Sequence, residues 1–261
     1  KMMEFIESGA RRAGPGAMKY FKHEKTNRIS SKKTVKDLVS TADKAVEKVI
    51  IDAIRERYPE HDIYGEESGR SGASSEYCWV IDPIDGTQSF VKNHPYFSIS
   101  IALKKNGAAI AGCVYAPALG MMFSGAEGRG AFENGEAIHV SDCGCLENAA
   151  CSTGFACLRA GLPKNNLPYF NRIVPVIRDI KCCRSAALDL CFVASGRYDA
   201  SWELCLQEYD IAAGALICRL AGGRVCDLRG GENYPADGTL SGTPALVEQL
   251  LPYFRDQEKS R

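Results

Sequence analysis

The run Trp79-Val80-Ile81-Asp82-Pro83-Ile84-Asp85-Gly86-Thr87 constrains the fold more than any other stretch of the chain. Trp79-Val80-Ile81 reads as a buried strand that stops abruptly at Asp82-Pro83. Two carboxylates then flank a stiff Pro83-Ile84 link, so their repulsion cannot simply splay them apart. Hard divalent cations take oxygen ligands, and a pair of them about 4 Å apart can hold both the attacking and the leaving oxygen of a displacement. Gly86-Thr87 opens a short helical turn whose free N–H groups would cradle a phosphate oxygen, and the Thr87 hydroxyl could relay a proton.

Other acidic residues stand where a side chain can point into a cleft shared with this turn. Glu66 and Glu67 end the apolar run Ile63-Tyr64-Gly65, Asp210 opens Ile211-Ala212-Ala213-Gly214, and Asp43 lies at the start of a helix around Val46. Each also has a plain structural reading. Asp-Pro initiates turns, Asp43 and Asp210 suit helix N-caps, and Glu66-Glu67 would sit in a solvated loop. Residue by residue, the pattern suggests a metal–carboxylate site and leaves those readings open.

Composition narrows the function classes. In 261 residues, Lys plus Arg equals Asp plus Glu at 32 each, so no global field draws in a nucleic-acid polymer or acidic lipid. Residues 106–126 are uncharged, but Gly107, Gly112, Pro117, Gly120 and Gly125 break them into two strands and rule against a membrane span. The twelve cysteines include no C-x-x-C pair, and neither chain length nor a leader supports a disulfide framework. Cys78, Cys113, Cys191, Cys218 and Cys226 sit in apolar stretches, which points to reduced core thiols in a cytoplasmic protein.

Periodicity predicts alternating elements. The N-terminus to about Phe21 reads as a helix disturbed by Gly14-Pro15-Gly16. Lys22–Lys36 reads as a surface loop or lid, and a helix runs from Ser40 to Tyr58-Pro59. Phe97–Leu103 alternates as a half-buried strand, with further strands at Ala109–Tyr115 and Leu119–Phe123. Ile180–Cys183 and Tyr198–Leu204 read as strands. Ser185–Ala194, Ile211–Ala221 and Thr243–Phe254 read as helices, with strands near Leu228 and Leu240. This indicates one α/β (α+β layered) protein over 1–261, with a metal-rich N-terminal half (about 1–145) and an α/β C-terminal half (about 146–255).

Taken in order, Gly65-Glu66-Glu67-Ser68, Trp79 to Thr87, and Asp210-Ile211-Ala212-Ala213-Gly214 with Gly222-Gly223 resemble the inositol monophosphatase family across nearly the whole chain. The resemblance implies a sugar-phosphatase fold of alternating helix and mixed-sheet layers, commonly a homodimer. It implies a phosphoric monoester hydrolase whose two or three Mg2+ ions are held by Glu66, Asp82, the Ile84 carbonyl, Asp85 and Asp210. Asp43, Glu66 and Thr87 would be catalytic, with Asp43 and Thr87 deprotonating the water that attacks phosphorus in line. Asp85, Gly86, Thr87, Arg184, Ser185, Ala186, Glu203 and Asp210 would line the site for a small phosphate ester, and Lys32 would lie on a mobile loop.

The chain departs from the family at Arg184, where members usually carry glycine. Its guanidinium could grip a second phosphate, which would favour fructose 1,6-bisphosphate or 3′-phosphoadenosine 5′-phosphate over inositol monophosphate. It could instead face solvent or pair with an acid such as Asp189. A covalent aspartyl-phosphate mechanism lacks its Asp-x-Asp pair, and a P-loop is absent. An inactive ligand-binding protein on the same fold is the remaining alternative, and retention of every carboxylate argues against it.

Overall fold

The computed structural model describes residues 1–23, 35–72 and 74–255. Two long helices, α1 (Met2–His23) and α2 (Val35–Arg57), precede a run of strands: β1 (Asp62–Gly65), β2 (Gly69–Ser71) and β3 (Tyr77–Asp85). The short helix α3 (Thr87–Val91) follows, then β4 (Ser98–Lys105), β5 (Ala108–Ala116), β6 (Met121–Ala126), β7 (Gly130–Glu133) and β8 (Glu136–Ala137). These strands form one sheet in the order β2-β1-β3-β4-β5-β6-β7-β8, parallel only between β1 and β3.

The second sheet is built from β9 (Ala150–Thr153), β10 (Asp179–Lys181), β11 (Ala200–Glu203), β12 (Arg224–Cys226) and β13 (Thr239–Gly242), in the order β10-β9-β11-β13-β12. Helices α4 (Ala156–Arg159), α5 (Leu167–Ile173), α6 (Ala186–Ala194), α7 (Glu208–Leu220) and α8 (Pro244–Arg255) complete the chain. Three apolar clusters set the layers. The first joins α1 and α2 to one face of the large sheet, around Trp79, Ile81 and Ile99. The second packs α6 and α7 on its other face, through Val114, Phe123, Leu188 and Ile217. The third closes α5 and α8 over the small sheet, around Trp202, Leu240 and Leu250.

Several boundaries differ from the expectation, each for a physical reason. Helix α1 runs through Pro15 unbroken, because its Ile6, Ala10, Ala13 and Ala17 stripe is buried and outweighs the local penalty. Gly14 there lets the helix touch the sheet: a Cβ would stand 2.6 Å from the Tyr115 ring. Helix α2 begins at Val35, so Asp43 is an interior helical residue and not an N-cap. The ends of the expected Lys22–Lys36 loop are helical, and Lys32 lies outside the described residues. Strand β3 does not stop at Asp82. It continues to Asp85 with a break in its register against β4 between those two residues, where Pro83 has no N–H to donate. The strand expected near Leu228 is β12, and the following turn is organised by Asp227, whose carboxylate accepts the N–H groups of Arg229, Gly231 and Asn233. Among the described residues no helix is long and apolar enough to cross a membrane, and all twelve cysteines are free thiols.

Candidate active site

The β3 register break turns Asp82 and Asp85 to the end of the large sheet where α6 and α7 begin. One carboxylate oxygen each from Asp82, Asp85 and Asp210 lie within 4.8 Å of one another, and Asp82 and Asp85 are 2% and 6% exposed. Asp82 Oδ1 accepts the Ile84 N–H at 3.0 Å, closing the turn around Pro83. Asp85 is clamped by the first turn of α6: Ser185 Oγ donates at 2.5 Å, Ala187 N at 2.9 Å and Ala186 N at 3.3 Å. Asp210 is the third residue of α7, and its Oδ2 accepts the Gln207 N–H at 2.6 Å in a capping box. The turn reading is thus realised, and Asp210 serves the cap from the third helical position, with Gln207 and not Asp210 as the N-cap residue. Neither role competes with ligation, because a carboxylate has two oxygens and several lone pairs.

Glu66 and Asp43 complete the acidic wall. Glu66 follows β1, where its N–H bonds the Ile81 carbonyl. The residue is exposed overall, but partial burial of its carboxylate and the charges of Asp85, Glu67 and Glu47 raise its pKa against a hydrogen bond with Asp82. Asp43 is 4% exposed and its Oδ1 has no hydrogen-bond partner among the described residues. Burial, followed by the charges of Glu66, Glu67 and Glu47, pushes it up to about 8. Burial and then Asp210 push Asp85 up to about 7 despite its three donors. Burial carries Asp210 to about 6 against the Gln207 bond. Asp82 lies well above the carboxylate range through burial and the charges of Glu66, Asp85 and Asp210. No Lys or Arg forms an ion pair with any of the five among the described residues.

Glu47 belongs to this wall and escaped the sequence reading, although it lies one turn after Asp43 on the same face of α2. It is buried, accepts the Glu67 N–H at 3.1 Å, and occupies the space in front of Gly65, where a Cβ would stand 2.2 Å from Glu47 Oε1.

The remaining expected residues fall into two groups. Thr87 opens α3 and donates through Oγ1 to the Ile84 carbonyl at 3.3 Å. Gly86, at φ 89°, needs the left-handed region and also the space, since a Cβ would meet Tyr96 O at 2.8 Å and Arg184 O at 3.2 Å. Ser185 and Ala186, expected at the substrate, give hydrogen bonds to Asp85. Glu203 ends β11 with its carboxylate against Gly154, where a Cβ would overlap it. Arg184 is exposed at φ 72° and makes no hydrogen bond or ion pair, with Asp189 or any other described residue.

A divalent cation suits this donor set. Five carboxyls gathered with no counter-charge among the described residues, three of them buried and one with an unpartnered buried oxygen, are costly unless protonated or metallated, and oxygen-only donors are the choice of Mg2+ or Mn2+.

The profile of the inositol monophosphatase family matches residues 1–259. The Nus factor SuhB of Pasteurella multocida is 39% identical over 252 residues, which cover 96% of this chain and 94% of that protein. Among solved structures, the native extragenic suppressor protein suhB of Bartonella henselae superposes with a TM-score of 0.88 at 32% identity, covering 98% of this chain and 99% of that one. The inositol monophosphatase of Anabaena (Nostoc) sp. PCC 7120 gives 0.87 at 33% identity, covering 97% and 94%.

Proposed function

The chain belongs to the inositol monophosphatase family, and from that premise we propose that it hydrolyses inositol monophosphate or a close polyol phosphate with Mg2+. The observation that carries the reading is the meeting of Asp82, Asp85 and Asp210 within 4.8 Å, with no cation of the protein paired to them among the described residues. Glu66, Asp82, the Ile84 carbonyl, Asp85 and Asp210 would hold two or three ions. When bound, such ions neutralise the carboxylates, polarise phosphoryl oxygens and lower the pKa of water.

The chain's own groups do the rest. Asp43 presents an unbonded Oδ1 that accepts the proton of the attacking water. The Thr87 hydroxyl orients that water, and the Gly86 and Thr87 amides hold phosphate oxygens. Water attacks phosphorus in line, the ester P–O bond breaks, and the alcohol leaves without a phosphoenzyme. Ser185, Ala186 and Ala187 keep Asp85 aimed into the cleft. Glu203 accepts hydroxyls of the alcohol part, and its fit against Gly154 fixes where that part lies.

One observation favours a second reading of the substrate. The Arg184 backbone abuts Gly86, its side chain is exposed with no hydrogen bond or ion pair among the described residues, and a left-handed arginine costs about 1–2 kcal/mol. A bisphosphate would use that charge for its second phosphate. The relatives are Nus factors, which sets a second role beside hydrolysis. A cytoplasmic homodimer completes the reading, in keeping with twelve free thiols.

The test is phosphate release from inositol 1-phosphate, fructose 1,6-bisphosphate, 3′-phosphoadenosine 5′-phosphate and histidinol phosphate, with Mg2+ and with chelator. Chelator-sensitive release, fastest on inositol 1-phosphate, is expected. A bisphosphate turned over fastest would transfer the assignment to the Arg184 reading. No release from any ester would leave a binding protein on this scaffold.

A further inference from the structure

The small sheet has one face that breaks the usual rule of burial. Strand register places Ser152, Ser201 and Ser241 side by side across β9, β11 and β13, with Glu203 opposite Thr239 on the same face. Helix α6 covers this face, and Ala186, Leu190, Ser201, Glu203, Thr239 and Ser241 line a cleft of about 10 Å³ beneath it, room for about one water. The other face of the sheet is conventional, with Cys151, Ala200, Trp202, Leu240 and Cys226 packed on α5 and α8.

The covered face is buried and polar. Asp189 of α6 is 2% exposed, Ser152 0% and Thr239 3%, and both Asp189 oxygens, Ser152 Oγ and Thr239 Oγ1 lack hydrogen-bond partners among the described residues. Buried groups of this kind cost on the order of 1–3 kcal/mol each, and apolar residues of the same size would pack without that cost. Burial, then the negative charges of Glu203 and Asp85, push Asp189 well above the carboxylate range, partly opposed by the nearby Ser152 hydroxyl. Glu203 is the one member of the face that is half-exposed, and it sits at the mouth of the polar layer. Glu203 and Asp189 bear on one another through charge, and Asp189 is the deeper of the two.

We propose that Asp189 is a positioning residue for Glu203: through the polar layer beneath α6 it fixes the Glu203 carboxylate as an acceptor for the alcohol half of the substrate, and takes no part in phosphoryl transfer. The inference rests on the reading of Glu203 as the polyol contact. It requires that Asp189 affect recognition of the alcohol and not the chemistry at phosphorus, which a merely structural role would not do.

The experiment compares KM and kcat for two esters, the polyol phosphate turned over fastest in the panel above and phenyl phosphate, which has no hydroxyls to recognise. Asp189→Leu is expected to raise KM for the polyol phosphate about tenfold or more, with kcat within about twofold and both constants for phenyl phosphate unchanged. Asp189→Asn keeps shape and a donor and is expected to restore the wild-type KM. An unchanged polyol KM in Asp189→Leu, or equal losses on both esters, would overturn the proposal. If Asp189→Leu does not fold, Asp189→Ser takes its place with the same two outcomes. Glu203→Gln is run alongside. If it leaves the polyol KM unchanged, the underlying reading of Glu203 fails; if it raises KM while the Asp189 variants do not, only the inference fails.

Discussion

The β3 turn and the polar layer beneath α6 both keep acids out of water, and each lacks what the other has. At the turn, Asp85 receives three hydrogen bonds and Asp210 one, so geometry is satisfied and only counter-charge is missing. Beneath α6 the crowding is lighter, Glu203 and Asp85 acting on Asp189, but Asp189, Ser152 and Thr239 have side-chain oxygens without a hydrogen-bond partner among the described residues. The first arrangement is shaped for a cation and the second for aiming a neighbour. The same residue type therefore serves different ends according to which debt its surroundings leave.

The largest expected effect separates charge from hydrogen bonding within the first region. Asp82→Asn and Asp85→Asn should each lower kcat/KM by roughly 10²–10³. Their effects on metal-free stability should diverge. Asp82→Asn removes a buried, crowded charge and raises the melting temperature near pH 8. Asp85→Asn presents an amide to the α6 N–H groups and gives no such gain. Near-normal turnover in either variant, or identical melting shifts, would erase the distinction.

The pH dependence sharpens the contrast further. Asp43 near 8, Asp85 near 7 and Asp210 near 6 are all raised above the ordinary value of 3.8. The folded state then binds more protons than the unfolded chain between about pH 4 and pH 8, so metal-free stability falls as pH rises through that window. Mg2+ competes with those protons and should raise the melting temperature more at pH 8 than at pH 6. Thermal melts with and without Mg2+ at the two pH values check the sign. A metal-free protein that grows more stable from pH 5 to pH 8 would contradict it.

Smaller effects are expected where the two regions meet. Gly86 and Arg184 are neighbours in space and both left-handed, at φ 89° and 72°. Gly86→Ala drives a Cβ toward the Tyr96 carbonyl and should cost about 1–3 kcal/mol in denaturant titrations. Arg184→Gly relieves strain and should stabilise by up to about 1 kcal/mol. If Arg184 grips a second phosphate, the same change lowers kcat/KM for a bisphosphate and spares inositol 1-phosphate. Equal effects on both esters would exclude that grip.

How much of this was legible follows from the range of the interactions involved. Asp82 and Thr87 are held by contacts within three residues, so their spacing alone announces the turn. The α6 clamp on Asp85 joins residues about a hundred positions apart, and nothing in either segment specifies the other. Asp43 read as a cap because the Lys22–Lys36 segment has few apolar anchors and the helical pattern is legible only from Ser40, and Pro15 read as a breaker because its helix is stabilised by the sheet beneath. Glu47 was open to a helical-face argument and was missed. The polar face of the small sheet depends on the registers of three strands drawn from residues 150–242, which no local pattern reveals.

The most direct test of the carboxylate cluster is calorimetric titration of Mg2+ into chelator-stripped protein at pH 7, in two buffers of different ionisation enthalpy. The account predicts binding with net release of protons, abolished or weakened at least about tenfold in Asp82→Asn. Binding without proton release, or binding that Asp82→Asn leaves intact, would contradict it.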